Sequence, residues 1–184
     1  MAKTNDIIEN LVIGEKLKFL VTAEDSKGKE LKFQVTCKVG ATGPPMHWHP
    51  KQHETFEVIS GTAEITLNGK KQLFTVGQKS EAPVNELHTY RNAGDNELVM
   101  TIALYPALST EFFFETMYSL AKQGKCKANS VPKDLLQFTA ILNEYYGELF
   151  IEGPPLPAQK FMAKVVGGFA KLIGYRGFVK YDRD

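Results

Sequence analysis

Residues 47–54 read His47-Trp48-His49-Pro50-Lys51-Gln52-His53-Glu54, and this stretch decides the fold. Three of the four histidines of the chain lie in it, and the fourth, His88, lies in a second block that runs from Gly77 to Asn92. Imidazoles and carboxylates are the ligands that divalent transition metals prefer, and histidines scattered over a surface have no reason to cluster in this way. The clustering therefore predicts a metal site.

Alternation along a strand predicts which of these side chains act together. Residues two apart on a strand point to the same face, so His47 and His49 project together while Trp48 points away. Pro50 interrupts the strand and allows a turn that returns Glu54, on the next strand, to the same side. One histidine remains outside this block, at the start of a later strand. The predicted ligands of one divalent transition metal (Fe, Mn, Ni, Cu or Zn) are His47, His49, Glu54 and His88.

Four side-chain ligands leave one or two positions open on a metal of coordination number five or six. A structural site normally closes these positions, so open ones indicate ligand binding or chemistry. Glu54 is then also a candidate base. The sequence offers no competing catalytic motif, since it has neither the GxSxG motif of a serine nucleophile nor a glycine-rich phosphate loop.

The rest of the chain divides into strands and then helices. Period-two alternation between Glu15 and about Pro106 predicts short strands, and Asn68-Gly69 is typical of a type I′ hairpin turn. Such strands form an antiparallel sandwich or barrel. The helices predicted after Pro106 run from Ser109 or Thr110 to Gly124, then with Pro132 in a first turn, then from Pro157. We therefore predict a mainly β fold, with a barrel over residues 1–106 and a helical extension over 107–184.

Two motifs in this sequence resemble those of the cupin superfamily. His47-x-His49, four residues, Glu54, six residues, Gly61 resembles the first motif, and Gly77, five residues, Pro83-x-Asn85, two residues, His88, three residues, Asn92 resembles the second. The resemblance implies an antiparallel double-stranded β-helix, the jelly-roll or cupin barrel, and supports the metal site.

The two motifs depart from the family pattern at glycine positions. Gly43 lies too close to His47 to be the family's leading glycine, and Gly40 lies one residue too far away. Asn85 replaces the second glycine of the second motif. Asparagine tolerates a left-handed backbone better than most residues, so we expect the turn to be preserved.

The resemblance extends to a group of small bacterial cupins with helical C-terminal tails, mostly of unassigned activity, through segments such as Leu172-Ile173-Gly174-Tyr175-Arg176. Three function classes follow. Our preferred hypothesis is a mononuclear metal-dependent oxygenase, similar to the quercetinase dioxygenases, acting on a small organic substrate. The alternatives are a metal-dependent isomerase, cyclase or lyase, and a non-catalytic small-molecule-binding protein. The resemblance also implies a homodimer.

The alternation of side chains along each strand also predicts which residues lie beside the metal. Tyr90 shares the face of His88, and Phe56 that of Glu54, so both are expected to line the cavity. We interpret Tyr90 as a candidate catalytic residue that positions a bound species, with a core tyrosine as the alternative. His53 is out of phase with Glu54 and is expected to point outward rather than to bind the ion. Trp48 and Met46 are expected in the barrel core.

Composition sets the remaining expectations. Lys and Arg number 22 against 21 Asp and Glu, so charge alone predicts no nucleic-acid partner. The sequence lacks the apolar run of a signal peptide or a transmembrane span, which predicts a cytoplasmic location. Cys37 and Cys126 form no CxxC motif and are expected to be reduced and structural.

The C-terminal region predicts an amphipathic helix. Apolar residues recur at three- and four-residue steps over 156–173, and every charge between Glu152 and Asp182 is positive. We expect this stripe to pack on the barrel or on a partner subunit, with Gly167-Gly168 at a close contact. A basic amphipathic helix is also typical of contact with an anionic membrane surface. The helices together are expected to cap one mouth of the barrel and confine a small substrate.

Overall fold

Two antiparallel sheets face each other and carry a helical extension, in a computed structural model that describes residues 2–183. The strands are β1 (Ile7–Asn10), β2 (Glu15–Val21), β3 (Leu31–Cys37), β4 (His47–Trp48), β5 (His53–Ser60), β6 (Thr62–Leu67), β7 (Lys70–Thr75), β8 (Lys79–Ala82), β9 (His88–Asn92), β10 (Leu98–Tyr105) and β11 (Phe150–Ile151). The helices are α1 (Thr110–Lys122), α2 (Leu135–Glu144), α3 (Leu156–Phe161) and α4 (Gly167–Leu172), with a π-helical turn over Met162–Val166 between the last two.

The two sheets have the strand orders β1-β2-β3-β10-β5-β8 and β11-β4-β9-β6-β7. This confirms the predicted mainly β fold with a C-terminal helical extension. The predicted strands correspond to β2, β3, β5 and β6. Asn68 and Gly69 have φ values of 46° and 76°, as a type I′ hairpin turn requires. β1 and β11 were not predicted.

Alternation along the strands buries one face of each sheet. In β3, Leu31, Phe33, Val35 and Cys37 are buried, while the intervening residues are partly exposed. These side chains meet Phe19, Phe56 and Met100 in one apolar core. Cys37 and Cys126 are both buried and unpaired, which agrees with the predicted reduced state.

The start of α2 differs from the prediction. The helix begins at Leu135 rather than near Pro132, because the Asp134 side chain caps it by accepting hydrogen bonds from the amides of Leu136 and Gln137. Pro132 instead lies in an isolated β-bridge with Cys126. The third helix begins as predicted, with Pro157 in the first turn of α3.

The large apolar side chains of the terminal helices are exposed rather than packed on the barrel of the same chain, and their packing on a partner subunit stays a prediction. Small residues, Ala163, Gly167 and Ala170, are the buried ones, whereas Phe161 and Phe169 are more than half exposed. Gly167 lies so close to Thr139 of α2 that the helices meet through small side chains, and the large apolar ones therefore face outward.

The last described residues return to the barrel. The Tyr181 hydroxyl accepts a hydrogen bond from the Glu9 amide of β1 at 3.1 Å, and the Arg183 guanidinium pairs with Asp6 and Glu115. Within residues 2–183, the helices are too short or too polar for any of them to cross a membrane.

Candidate metal centre

The four predicted ligands meet at one point in the barrel. His47 on β4 lies opposite His88 on β9, and Glu54 comes from β5 in the facing sheet. His49 follows β4 directly. All four side chains are buried, and each offers a ligand atom within 4.8 Å of the others. The structure thus brings together the whole predicted ligand set, from both sheets.

Backbone carbonyls fix the orientation of the three imidazoles. The Nδ1 atoms of His47, His88 and His49 lie 2.8, 2.8 and 3.1 Å from the carbonyl oxygens of Pro45, Glu86 and Glu148. A carbonyl can only accept a hydrogen bond, so each Nδ1 carries the proton. In the neutral ring, each Nε2 then offers its lone pair to a metal, which is the arrangement of histidine ligands in metalloproteins.

The distances among the ligand atoms suit a transition metal. Glu54 Oε2 lies 2.8 Å from His88 Nε2 and 3.3 Å from His49 Nε2. Metal bonds of about 2.0–2.2 Å place neighbouring ligand atoms about 3 Å apart. Three nitrogens and one carboxylate oxygen also match the donors that Fe, Mn, Ni, Cu and Zn accept. The residues therefore fit the ion that the sequence predicts.

Electrostatics keep most of the cluster ready for a cation. Burial, together with repulsion from His88 and His49, lowers the pKa of His47 to about 3, so this imidazole stays neutral. Burial would raise the pKa of Glu54, but its hydrogen bonds to His49 and His88 outweigh burial and hold the pKa low. His88 behaves oppositely: burial would lower its pKa, but the bonds to Glu54 raise it. The carboxylate is therefore ionised and attracts a cation.

Three residues next to the ligands in the sequence, His53, Trp48 and Met46, do not take part in the cluster. His53 points away from the cluster, as predicted, and its Nε2 lies 3.3 Å from the exposed Glu81 carboxylate. Trp48 and Met46 are only partly buried, so their expected place in the barrel core is wrong. Trp48 packs against Phe150 with ring centroids 5.6 Å apart, because it projects from the opposite face of β4 from His47.

The four predicted ligands open on a cavity of about 150 Å³ between the barrel and the extension. Its walls are mainly apolar, and the extension contributes a large part of them. The contributing side chains are Phe113, Phe114, Met117, Tyr118, Phe138 and Leu142. α1 and α2 therefore cover this side of the barrel, as expected, whereas α3 and α4 contribute no residue to the cavity lining.

The extension also holds the ligand strand. Ile151 of β11 pairs with His47 of β4, and the Glu152 amide donates to the Met46 carbonyl at 2.8 Å. Glu148, just before β11, makes two contacts. Its backbone carbonyl oxygen accepts a hydrogen bond from His49 Nδ1, and its side chain accepts one from the Ser109 amide at 3.0 Å. Sequence reasoning missed this strand. Its only signal is a short apolar run between Gly147 and Gly153.

A buried carboxyl, Glu15, lies in the same cavity and was also missed. Tyr90 lines the cavity as predicted, and its hydroxyl donates to Glu15 Oε1 at 3.1 Å. The Tyr118 hydroxyl lies 2.8 Å from Glu15 Oε2, within hydrogen-bond distance. Burial raises the pKa of Glu15 despite these bonds. Phe56, which was also expected to line the cavity, is instead buried in the core beside it, with its ring 6.0 Å from His88 and 6.2 Å from Tyr90.

The two departures from the glycine pattern have clear structural roles. Asn85 adopts a φ of 67°, so the turn is preserved as expected. Its backbone amide donates to the His49 carbonyl oxygen at 2.9 Å. Gly43 has a φ of 66°, and an added Cβ would lie 1.9 Å from the Tyr90 carbonyl oxygen. Gly43 thus allows the loop before β4 to approach β9.

Comparison with known families agrees with this geometry. Residues 33–105 match the family model described as a cupin domain. Residues 33–105 are therefore a cupin domain. An RmlC-like cupin from Shewanella frigidimarina has a similar fold, with a TM-score of 0.50 and 16% identity over 60% of this chain and 92% of that one.

Two curated relatives of this cupin are enzymes. The epoxidase atD of Aspergillus terreus is 27% identical over 151 residues, which are 75% of this chain and 46% of the relative. The quercetin 2,3-dioxygenase of Bacillus subtilis is 33% identical over 61 residues, 32% of this chain and 18% of the relative. The chain thus spans less than half the length of either relative.

Proposed function

We propose that this cupin binds one divalent transition metal through His47, His49, Glu54 and His88, and that it is a mononuclear metal-dependent oxygenase acting on a small organic substrate. The observation that carries this proposal is a four-ligand group that opens on a buried, mainly apolar cavity. Names of two relatives, a dioxygenase and an epoxidase, support oxygen chemistry. When bound, the ion would act as a Lewis acid toward an enol or phenol oxygen and would supply the redox chemistry for O₂.

The protein's own residues would bind and orient the substrate. Phe114, Met117 and Ile102 give the cavity apolar walls, which favour a flat organic molecule and exclude water. Glu54 directs Oε2 toward His49 and His88, so its other oxygen is left to take a proton from a substrate hydroxyl. Because its pKa is low, the Glu54 carboxylate is a weak base and suits a substrate hydroxyl that is itself acidic.

Tyr90 serves in this proposal as a positioning residue. Burial raises its pKa well above the ordinary value, so the phenol keeps its proton at neutral pH. Its hydroxyl bonds to Glu15, which fixes the ring against Phe56 beside the metal ligands.

Oxygen uptake tests the proposal. Metal-free protein is reconstituted separately with Fe(II), Mn(II), Ni(II), Cu(II) and Zn(II) and supplied with small enols and phenols such as acetylacetone and catechol. We expect substrate-dependent O₂ consumption with at least one redox-active ion, its loss in Glu54→Gln, and its retention in the control Glu81→Gln, since Glu81 faces solvent.

Two outcomes would contradict an oxygenase. Turnover of an enolisable carbonyl without O₂ would assign Lewis-acid isomerase or lyase chemistry. Tight binding without any turnover would assign a binding protein. A homodimer and a cytoplasmic location remain predictions, tested by sedimentation velocity and by cell fractionation.

A further inference from the structure

The cavity contains a second polar group besides the metal ligands. Glu15, at the start of β2, is 5% exposed and lines the cavity together with Tyr90 and Tyr118. Its Oε1 accepts from Tyr90 at 3.1 Å and faces the Cys37 thiol at 3.9 Å, while its Oε2 lies 2.8 Å from the Tyr118 hydroxyl. These partners are all uncharged groups.

A carboxylate at this position would be a buried anion with only neutral partners. Such a charge is costly to bury, so the acid form is favoured, as the raised pKa of Glu15 indicates. Oε1 accepts from two donors, Tyr90 and Cys37, which identifies it as the carbonyl oxygen. The carboxyl proton is therefore on Oε2, which faces Tyr118.

Counting the hydroxyl protons shows that the cluster has one to spare. Glu15, Tyr90 and Tyr118 carry three O–H groups, but only two contacts join their oxygens. When Glu15 donates from Oε2 to Tyr118, the Tyr118 hydroxyl no longer has an acceptor within the cluster. Because buried hydroxyls seek a partner, this donor is available to a molecule in the cavity.

We propose that Glu15, Tyr90 and Tyr118 form a substrate-binding site that donates one hydrogen bond to an acceptor oxygen of the substrate other than its metal-bound hydroxyl. The inference rests on the proposed function for the metal-bound end. It defines the substrate class as a small aromatic or alicyclic molecule with a hydroxyl for the metal and a carbonyl for this site. The remaining walls, which include Phe33, Leu104 and Phe114, are apolar and suit the ring between them.

Matched phenols test the site. Binding of 3- and 4-hydroxyacetophenone to zinc-loaded protein is measured by titration calorimetry and compared with 3- and 4-isopropylphenol, which have similar shapes but no carbonyl. In Tyr118→Phe we expect at least one hydroxyacetophenone to lose about 3- to 10-fold in affinity, the worth of one neutral hydrogen bond. The isopropylphenols should change by less than about twofold.

Two further variants sharpen the test. Tyr145→Phe removes a hydroxyl that is equally buried but contacts Thr116 outside the cavity lining, and should leave every affinity unchanged. Glu15→Gln should also keep the hydroxyacetophenone affinity within about twofold, because the glutamine amide can donate to Tyr118 as the carboxylic acid does. Loss of this affinity in Glu15→Gln would show that Glu15 acts as an anion and overturn the donor assignment.

The inference and the proposed function fail separately. Equal effects of Tyr118→Phe on both kinds of phenol, no effect on either, or no binding of any hydroxyacetophenone to the wild-type protein would overturn the second site. Retained binding in metal-free protein, with the same dependence on Tyr118, would support this site while contradicting metal contact with the substrate.

Discussion

At the scale of single residues, each imidazole of the centre is set by one carbonyl oxygen. Because Pro45, Glu86 and Glu148 supply these acceptors from the backbone, the Nδ1 contact of each ring does not depend on the protonation of another side chain. The ligand geometry therefore exists in the folded chain before a metal arrives.

Removing one ligand should abolish stoichiometric metal binding. We expect His49→Ala and His88→Ala to fall from about one equivalent to a small fraction of one, because three ligands hold a transition metal much more weakly than four. Elemental analysis after dialysis measures this. His53→Ala is the matched control and should keep its metal, since this side chain lies against Glu81. A full equivalent in both ligand variants would contradict the assignment.

How much of the site can be predicted depends on how far apart its residues lie in the chain. His47, His49 and Glu54 lie close together in the chain, on or beside the consecutive strands β4 and β5 of the two facing sheets, so strand parity and spacing were enough to group them. Glu15 and Tyr118 meet although 103 residues separate them, and only the folded barrel brings them together. Spacing along the chain contains no information about such a contact.

At the scale of elements, strands were easier to predict than the contacts between helices. Alternation in β3 is a property of the segment itself, so its buried face could be read directly. β11 has only two residues, and it is a strand because β4 offers a partner. The start of α2 depended on the choice between a proline and the Asp134 cap, and the cap's two hydrogen bonds decided it.

The close approach of α4 to α2 should be sensitive to one methyl group. A Cβ on Gly167 would lie 2.1 Å from the Thr139 carbonyl oxygen, so Gly167→Ala should lower the free energy of unfolding by about 1–3 kcal/mol. Gly168 has nothing within 4 Å, and Gly168→Ala should raise it by up to about 1 kcal/mol through helix propensity. Urea unfolding measures both. Equal effects in the two variants would contradict the packing argument.

The cross-strand pair of Glu64 and Arg91 should stabilise the fold near neutral pH and lose this effect in acid. Glu64 on β6 accepts both hydrogen bonds of the Arg91 guanidinium on β9, which lower its pKa to about 2. A carboxyl whose pKa is lower in the folded state stabilises the fold above its ordinary pKa of 4.5 and loses this effect as the pH falls toward 2. Wild-type protein should therefore exceed Glu64→Gln in stability at pH 6, and the difference should disappear near pH 2.

Denaturant unfolding across this pH range checks the Glu64 prediction. Arg91→Gln removes the same pair from the other strand and should give the same trend. A difference between wild type and Glu64→Gln that is constant from pH 6 to pH 2 would show that the pair does not stabilise the sheet.

At the scale of the whole molecule, the barrel and the extension share one site. The extension supplies apolar walls to the cavity, the Tyr118 hydroxyl to Glu15, and a strand to β4. A barrel without these residues would have the same four ligands but an open, wetter pocket. The extension is thus part of the candidate site and not an appendage.

Loosening the segment before β11 should weaken metal binding from outside the ligand set. Glu148→Ala removes the side chain that anchors this segment to the Ser109 amide, and the Glu148 carbonyl then holds His49 less firmly. We expect metal affinity to fall by about 10-fold, as when other partners of histidine ligands are removed. Competition with a chromophoric chelator measures it. Glu152→Ala is the control, because Glu152 contacts Met46 through its amide alone, and equal losses in both variants would contradict the role of Glu148.

The bond between His49 and the Glu148 carbonyl joins groups 99 residues apart in the chain. On a ribosome, the first three ligands of the sequence emerge long before the segment that steadies them, and closing so long a loop is a late step of folding. A metal should therefore be held firmly only after the segment around Glu148 has been synthesised and has reached β4. Which ion is bound would then be determined by the metals available to the folded site, not by those that meet the first three ligands alone.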